Sequence, residues 1–123
     1  MKKEPDEAGL LLESVYRGMF EKKGQDVLKI DLRRFENRIT DYFIICQGSS
    51  TTQVDSICYS VEESVRQGTG IKPSHVEGLD NCFWVLIDYG DVVVHIFLSE
   101  YRTFYSLESL WADATIEAIK DNI

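Results

Sequence analysis

Apolar runs at residues 83–88 and 91–97, separated only by Tyr89 and Gly90, constrain this chain more than any other feature. Glycine in a two-residue loop between alternating apolar strands is a strong local signal for a β-hairpin. Counting outward from the loop pairs Asp88 with Asp91, Ile87 with Val92, Leu86 with Val93, Val85 with Val94 and Trp84 with His95. Successive side chains in a strand point to opposite faces, so the two faces can be read separately. Phe83, Val85, Ile87, Val92, Val94 and Ile96 make a wholly apolar face, which belongs against a core. Trp84, Leu86, Asp88, Asp91, Val93, His95 and Phe97 make the other.

The hairpin needs partners, and the rest of the chain supplies alternating helices and strands. Residues 6–23 place Leu11, Leu12, Val15, Met19 and Phe20 on one helical face, with Gly24 as the stop. A short strand is expected over residues 26–32, then a polar connection over 33–41. The run YFIICQ at residues 42–47 suits a strand buried on both faces. Gly48-Ser49-Ser50 ends it and opens a second helix. Ser50 with Gln53 has the spacing of a capping box, and Val54, Ile57, Cys58, Val61 and Val65 form the buried stripe. Gly68 and Gly70 end this helix and Pro73 prevents its resumption. Residues 74–77 read as a short extended edge segment. Helical pieces are expected at 107–111 and 114–120. The pattern predicts one α/β domain over residues 1–123, a sandwich with a mixed β-sheet flanked by helices.

Composition narrows the function classes. At 123 residues the chain can bury roughly two thirds of its unfolded surface, so it needs no metal or disulfide to fold. Cys46, Cys58 and Cys82 are odd in number, lack C-x-x-C spacing and sit in apolar patterns, which predicts reduced core thiols. The net charge of −8 argues against direct nucleic-acid binding, which draws its affinity from lysine and arginine. A basic protein surface is the better electrostatic match. No signal-peptide pattern and no run approaching ~20 apolar residues occurs, so a cytoplasmic chain without a membrane span is expected.

Catalytic chemistry finds little support. Strand, Gly48-Ser49 and helix form the arrangement that opens nucleotidyltransferase sites, but those enzymes also need closely spaced carboxylates to hold magnesium. The corresponding segment offers only Glu77, and no D-x-D or D-x-E occurs. His75 and His95 lack the spacing of metal ligands, and no phosphate-binding glycine motif is present. No catalytic, metal or cofactor residue is assigned.

The second hairpin face is a candidate interface. A Trp–His pair over apolar residues, with two carboxylates opposed at the tip, would welcome a cationic partner, because like charges directly opposed are destabilising. The plainer reading has the tail covering this face, Trp111 resting on Trp84 and the aspartates solvated. Spacing leaves both open.

Taken in order, several pieces resemble the ribosomal silencing factor family, also called the Iojap family. They are Gly24-Gln25-Asp26, TDYFIIC at residues 40–46, Gly48-Ser49-Ser50, Val76-Glu77-Gly78, WVLIDYGDVVVH at residues 84–95, Arg102, Tyr105-Ser106-Leu107-Glu108 and Leu110-Trp111. The strong resemblance covers about residues 8–114, leaving a tail over 115–123. It implies a nucleotidyltransferase-like fold without catalytic carboxylates and a non-enzymatic role. It further implies binding to the fourteenth protein of the large ribosomal subunit, a steric block to small-subunit joining, lower translation when nutrients are scarce, and a homodimer when free. On this reading Glu77, Asp88, Asp91 and Glu108 meet basic side chains, while Trp84, Tyr89, His95, Tyr105, Leu110 and Trp111 supply the desolvated anchor. The alternative is a nucleotidyltransferase-like nucleotide-binding protein using the Gly48-Ser49 turn.

Overall fold

The computed structural model describes residues 6–121. Helix α1 (Asp6–Glu21) leads into strand β1 (Gln25–Asp31) and, after a loop, β2 (Tyr42–Gly48). Helix α2 (Thr51–Thr69) follows, then β3 (His75–Glu77) and the hairpin of β4 (Trp84–Asp88) with β5 (Val92–Leu98). Two short helices, α3 (Ser99–Tyr105) and α4 (Leu107–Leu110), precede β6 (Thr115–Ala118).

The six strands form one mixed sheet in the order β3-β4-β5-β2-β1-β6, in which β2 and β5 run parallel and every other pairing is antiparallel. This is the expected single-domain α/β sandwich. The two parallel strands lie at its centre, covered on both faces. That is why their sequences are continuous apolar runs in which every residue but Gln47 is buried.

Helices α1 and α2 pack on one face. Val15 and Met19 of α1 meet Val54, Ile57, Val61 and Val65 of α2 above Val85, Ile87, Val92, Val94 and Ile96. Removing each such side chain from water contributes about 1.5–3 kcal/mol. The helices approach closely through small residues. Ser60 Oγ donates to the Gly18 carbonyl at 2.8 Å and Ser64 Oγ to the Ser14 carbonyl at 2.6 Å. A Cβ on Gly18 would lie 2.6 Å from Val61 Cα. Gly68 therefore serves as a close-approach point inside α2 and does not end it; the stop is Gly70, left-handed at φ 76, whose N–H bonds the Arg66 carbonyl.

The start of α2 is capped as expected at Ser50, whose Oγ accepts from Gln53 N at 3.1 Å. The reciprocal half differs. Gln53 Oε1 accepts from the N–H and hydroxyl of Ser49, and its Nε2 donates to the carbonyls of Lys22 and Lys23. Gln53 thus ties the Gly-Ser turn to the end of α1.

Two expectations are corrected. The hairpin register differs by two residues from the simple count: Trp84 faces Phe97, Leu86 faces His95, Ile87 faces Val94 and Asp88 faces Val93. The loop is longer because Tyr89 N bonds the Val92 carbonyl, which places four residues between the paired strand ends. A slip of two preserves every side chain's face, so the assignment of core and outer faces stands. The predicted helix at 114–120 is instead β6, antiparallel to β1 with Ile30 opposite Ile116. The free edge of β1 offers a row of backbone partners that a locally helical segment cannot match, and Thr115 and Ile116 are β-branched. Lys29 and Glu117 add an ion pair at 3.3 Å.

The candidate partner-binding face

The face of the sheet opposite α1 and α2 is covered unevenly. Over β2 and β1, Leu107 and Ala114 bury Ile30, Leu32, Phe43 and Ile45. Towards β4 and β3, Trp84 and Leu86 are only half-buried.

Trp84 stacks on Phe97 at 5.0 Å between ring centroids, and its Nε1 donates to His95 Nδ1 at 3.0 Å. The two residues are diagonal neighbours across the hairpin, not a directly opposed pair. Because Nδ1 accepts, the neutral ring carries its proton on Nε2. His95 is 4% exposed, and burial pulls its pKa down to about 4, so the imidazole is uncharged at neutral pH. Its Nε2 has no hydrogen-bond partner among the described residues. Phe43 meets the His95 ring edge-on at 4.7 Å. Trp111 packs edge-on against Phe35 at 5.6 Å and Phe43 at 6.0 Å, so its anchoring lies on the β2 side and not on Trp84, where one of the two readings left open by spacing puts it. Leu110 is 72% exposed beside it.

Carboxylates border this aromatic surface. Glu77 lies opposite Leu86 and His75 opposite Asp88, which puts all four side chains on the same face. Glu77 is exposed and its Oε2 sits 2.6 Å from His75 Nε2. Asp88 Oδ1 accepts from Gly90 N at 2.8 Å, so this carboxylate shapes the turn. Asp88 and Asp91 are not opposed, which removes the like-charge argument for a cation between them. Asp91 is exposed, and its carbonyl accepts from Asp41 N and Tyr42 N.

The structure therefore brings together Glu77, Trp84, Asp88 and His95 on β3, β4 and β5, with Asp91 at the tip; Trp111 is linked to them through Phe43, which meets both it and His95, and exposed Leu110 precedes Trp111 in the chain. Tyr89 does not join them. It is buried in the core beneath α2, its hydroxyl has no partner among the described residues, and burial raises its pKa well above the ordinary phenol value. The side chains of Tyr105 and Glu108 lie outside the described residues. Sequence reasoning missed Ile39, which is 84% exposed. Thr40 Oγ1 donates to the Gly90 carbonyl at 2.8 Å, which ties the loop carrying Ile39 to the hairpin turn. The signal was an isoleucine inside an otherwise polar connection.

Elsewhere, the groups weighed for chemistry are engaged or buried. Gln53 occupies both donors of Ser49, the groups a phosphate at a Gly-Ser turn would need. All three cysteines are free and buried, and desolvation pushes the Cys46 and Cys58 thiols up to about 12, far from reactive thiolates. Among the described residues no group of three or more His, Cys, Asp or Glu could hold a metal ion, and no helix is long and apolar enough to cross a membrane.

Comparison with known proteins decides the family. The family model described as "Ribosomal silencing factor during starvation" matches residues 5–123. The chain belongs to the ribosomal silencing factor family. It is 40% identical over 96 residues to the ribosomal silencing factor of Bacillus subtilis, covering 78% of this chain and 80% of that one. A more distant relative in Mus musculus, "Mitochondrial assembly of ribosomal large subunit protein 1", is 32% identical over 90 residues, 72% of this chain but 38% of that one. A crystal structure of a protein from Bacillus halodurans superposes with a TM-score of 0.74 at 35% identity, covering 89% of this chain and 97% of that one. The family's fold is thus the sheet and helix arrangement seen here.

Proposed function

We propose that this chain is a translational repressor that binds the large ribosomal subunit and sterically blocks joining of the small subunit. Its contact is the fourteenth protein of the large subunit. The observation that carries this reading is the half-covered face of Trp84, Leu86 and Trp111, bordered by Glu77, Asp88 and Asp91 and with exposed Leu110 next to Trp111 in the chain, in a member of this family.

The physical logic has two parts. A net charge of −8 attracts a basic ribosomal protein and repels bare phosphate, so the primary contact is protein and not nucleic acid. Aromatic side chains that are already packed lose little conformational freedom on binding, so their contact area converts efficiently into affinity. Trp84 is held by Phe97 and His95, and Trp111 by Phe35 and Phe43. Truncating such an anchor costs about 2 kcal/mol or more of binding, whereas changing a peripheral carboxylate mainly alters on-rate and salt dependence. His95 works from beneath, orienting Trp84.

Inhibition on this account requires only occupancy. Two bodies cannot share the intersubunit surface, and no catalytic step or switch is invoked. The free protein forms a homodimer and acts in the cytoplasm. The experiment is a subunit-joining assay with purified large and small subunits on a density gradient. Added protein should shift the assembled peak to separate subunits in proportion to its occupancy of the large one. Unchanged joining at full occupancy would contradict the proposal.

A further inference from the structure

A cavity of about 670 Å³ opens at the end of the strands away from the hairpin turn, lined in part by Gln47, Arg102 and Lys120. Strand β2 separates the two places: Tyr42 lies beside the turn and Gln47 at the cavity, roughly 17 Å apart at ~3.3 Å per residue. The size is that of a pocket for a small organic ligand, for which roughly 300–1,000 Å³ is usual.

The charge of this cavity runs against that of the chain. Overall, 21 acidic residues outnumber 13 basic ones. Among the described residues lining the cavity, Arg102 and Lys120 face a single acid, Asp26. Arg102 is 6% exposed and rigidly held, its Nη1 donating to the Asp26 carbonyl at 2.7 Å and to Gln47 Oε1 at 3.3 Å. A bulge in β1 makes the first of these bonds possible. The register shifts between Gln25 and Leu28, and Asp26 takes a left-handed φ of 52. A planar, preorganised guanidinium is the side chain best matched to a phosphoryl group.

Hydroxyl groups line the same space. Ser106 Oγ and Ser109 Oγ are 2.9 Å apart; with Ser106 donating, the Ser109 O–H is left to donate onward. Thr103 adds a third hydroxyl, and Phe20 with Ile119 forms an apolar wall. Two cations and a hydroxyl relay next to an apolar wall fit a ligand with an anionic head and an organic body.

We propose that this cavity binds a small organic phosphate. Arg102 and Lys120 take the phosphoryl group, Thr103 and Ser109 donate to its remaining oxygens, and Phe20 and Ile119 cover the organic part. The site is separate from the partner-binding face, it does not use the donors of Ser49, and it does not depend on the ribosomal reading.

Calorimetric titration of the whole chain with adenosine monophosphate, ribose phosphate, inorganic phosphate and adenosine tests this. Lys120 and Ser109 are exposed, so Lys120→Glu and Ser109→Trp leave the fold intact, which circular dichroism checks. The expected result is saturable binding of at least one organic phosphate with Kd of about 1 mM or tighter. Each variant should weaken it by about tenfold or more. No saturation by either organic phosphate up to about 10 mM would overturn the proposal. So would wild-type affinity in both variants, or inorganic phosphate binding as tightly as the organic phosphates.

Discussion

His95 gives a sharp test of how the partner-binding face is built. Burial of its ring holds the folded-state pKa at about 4 against an ordinary 6.5, and its Nδ1 accepts from Trp84 Nε1. Between these values the unfolded chain binds a proton that the folded chain refuses. The associated stability is complete above about pH 6.5 and is lost as pH falls towards about 4. At about 1.4 kcal/mol per pH unit, the loss is roughly 3 kcal/mol, a large share of the 5–15 kcal/mol typical of a domain. Carboxylates titrate nearby in pH. Asp31, whose pKa is lowered chiefly by its hydrogen bond from the Arg33 side chain, is one of them. Comparison with His95→Gln cancels these common contributions, and glutamine can still offer an oxygen to Trp84. Urea unfolding followed by tryptophan fluorescence, from neutral pH to about pH 4, gives both stabilities. The advantage of wild type over His95→Gln should shrink by roughly 3 kcal/mol across that range. A difference that stays constant with pH would show that His95 is not a buried neutral imidazole.

Tyr89→Phe removes a buried hydroxyl that has no partner among the described residues, so it should raise stability by about 1 kcal/mol in urea unfolding; a loss of that size would reveal a partner for the hydroxyl. The same variant should bind large subunits as wild type does. Gly78→Ala forces a Cβ to 2.0 Å from the Trp84 carbonyl oxygen at a φ of 93, and should cost about 2 kcal/mol or more. Gly70→Ala, at a φ of 76 but in open space, should cost only about 1 kcal/mol in the same assay. Deleting residues 114–123 removes one of the two partners of β1, so exchange of those amides within Leu28–Asp31 that face β6 should accelerate at least tenfold while that of β5 changes little.

Much of this architecture was legible because period-two alternation is insensitive to an even slip. The hairpin count was wrong by two residues, yet Trp84, Leu86 and His95 still fell on the outer face and Val85, Ile87 and Val94 on the core face. The central strands were legible from apolar runs that only double-sided burial explains. The tail was not, because Thr115–Ala118 forms a strand only where the edge of β1 waits for it. Tyr89 was misjudged for a related reason. A tyrosine beside a turn glycine reads as exposed, and only the packing of α2 over the loop shows that its ring points into the core. Asp88 has a second role that the sequence did not show, since its carboxylate also shapes the turn by accepting from Gly90 N. The family itself was legible in the order and spacing of short motifs, none of which would have sufficed singly.

The central claim is that the half-covered aromatic face holds the large ribosomal subunit. Co-sedimentation with isolated large subunits, comparing wild type with Leu110→Glu, tests it most directly. Leu110 is 72% exposed, so its replacement leaves the fold alone and places a charge next to Trp111 in the proposed contact. The account predicts that wild type sediments with the subunit and that Leu110→Glu binds at least tenfold more weakly. Equal binding by both would contradict the assigned face, and a wild-type protein left at the top of the gradient at low salt would contradict the function.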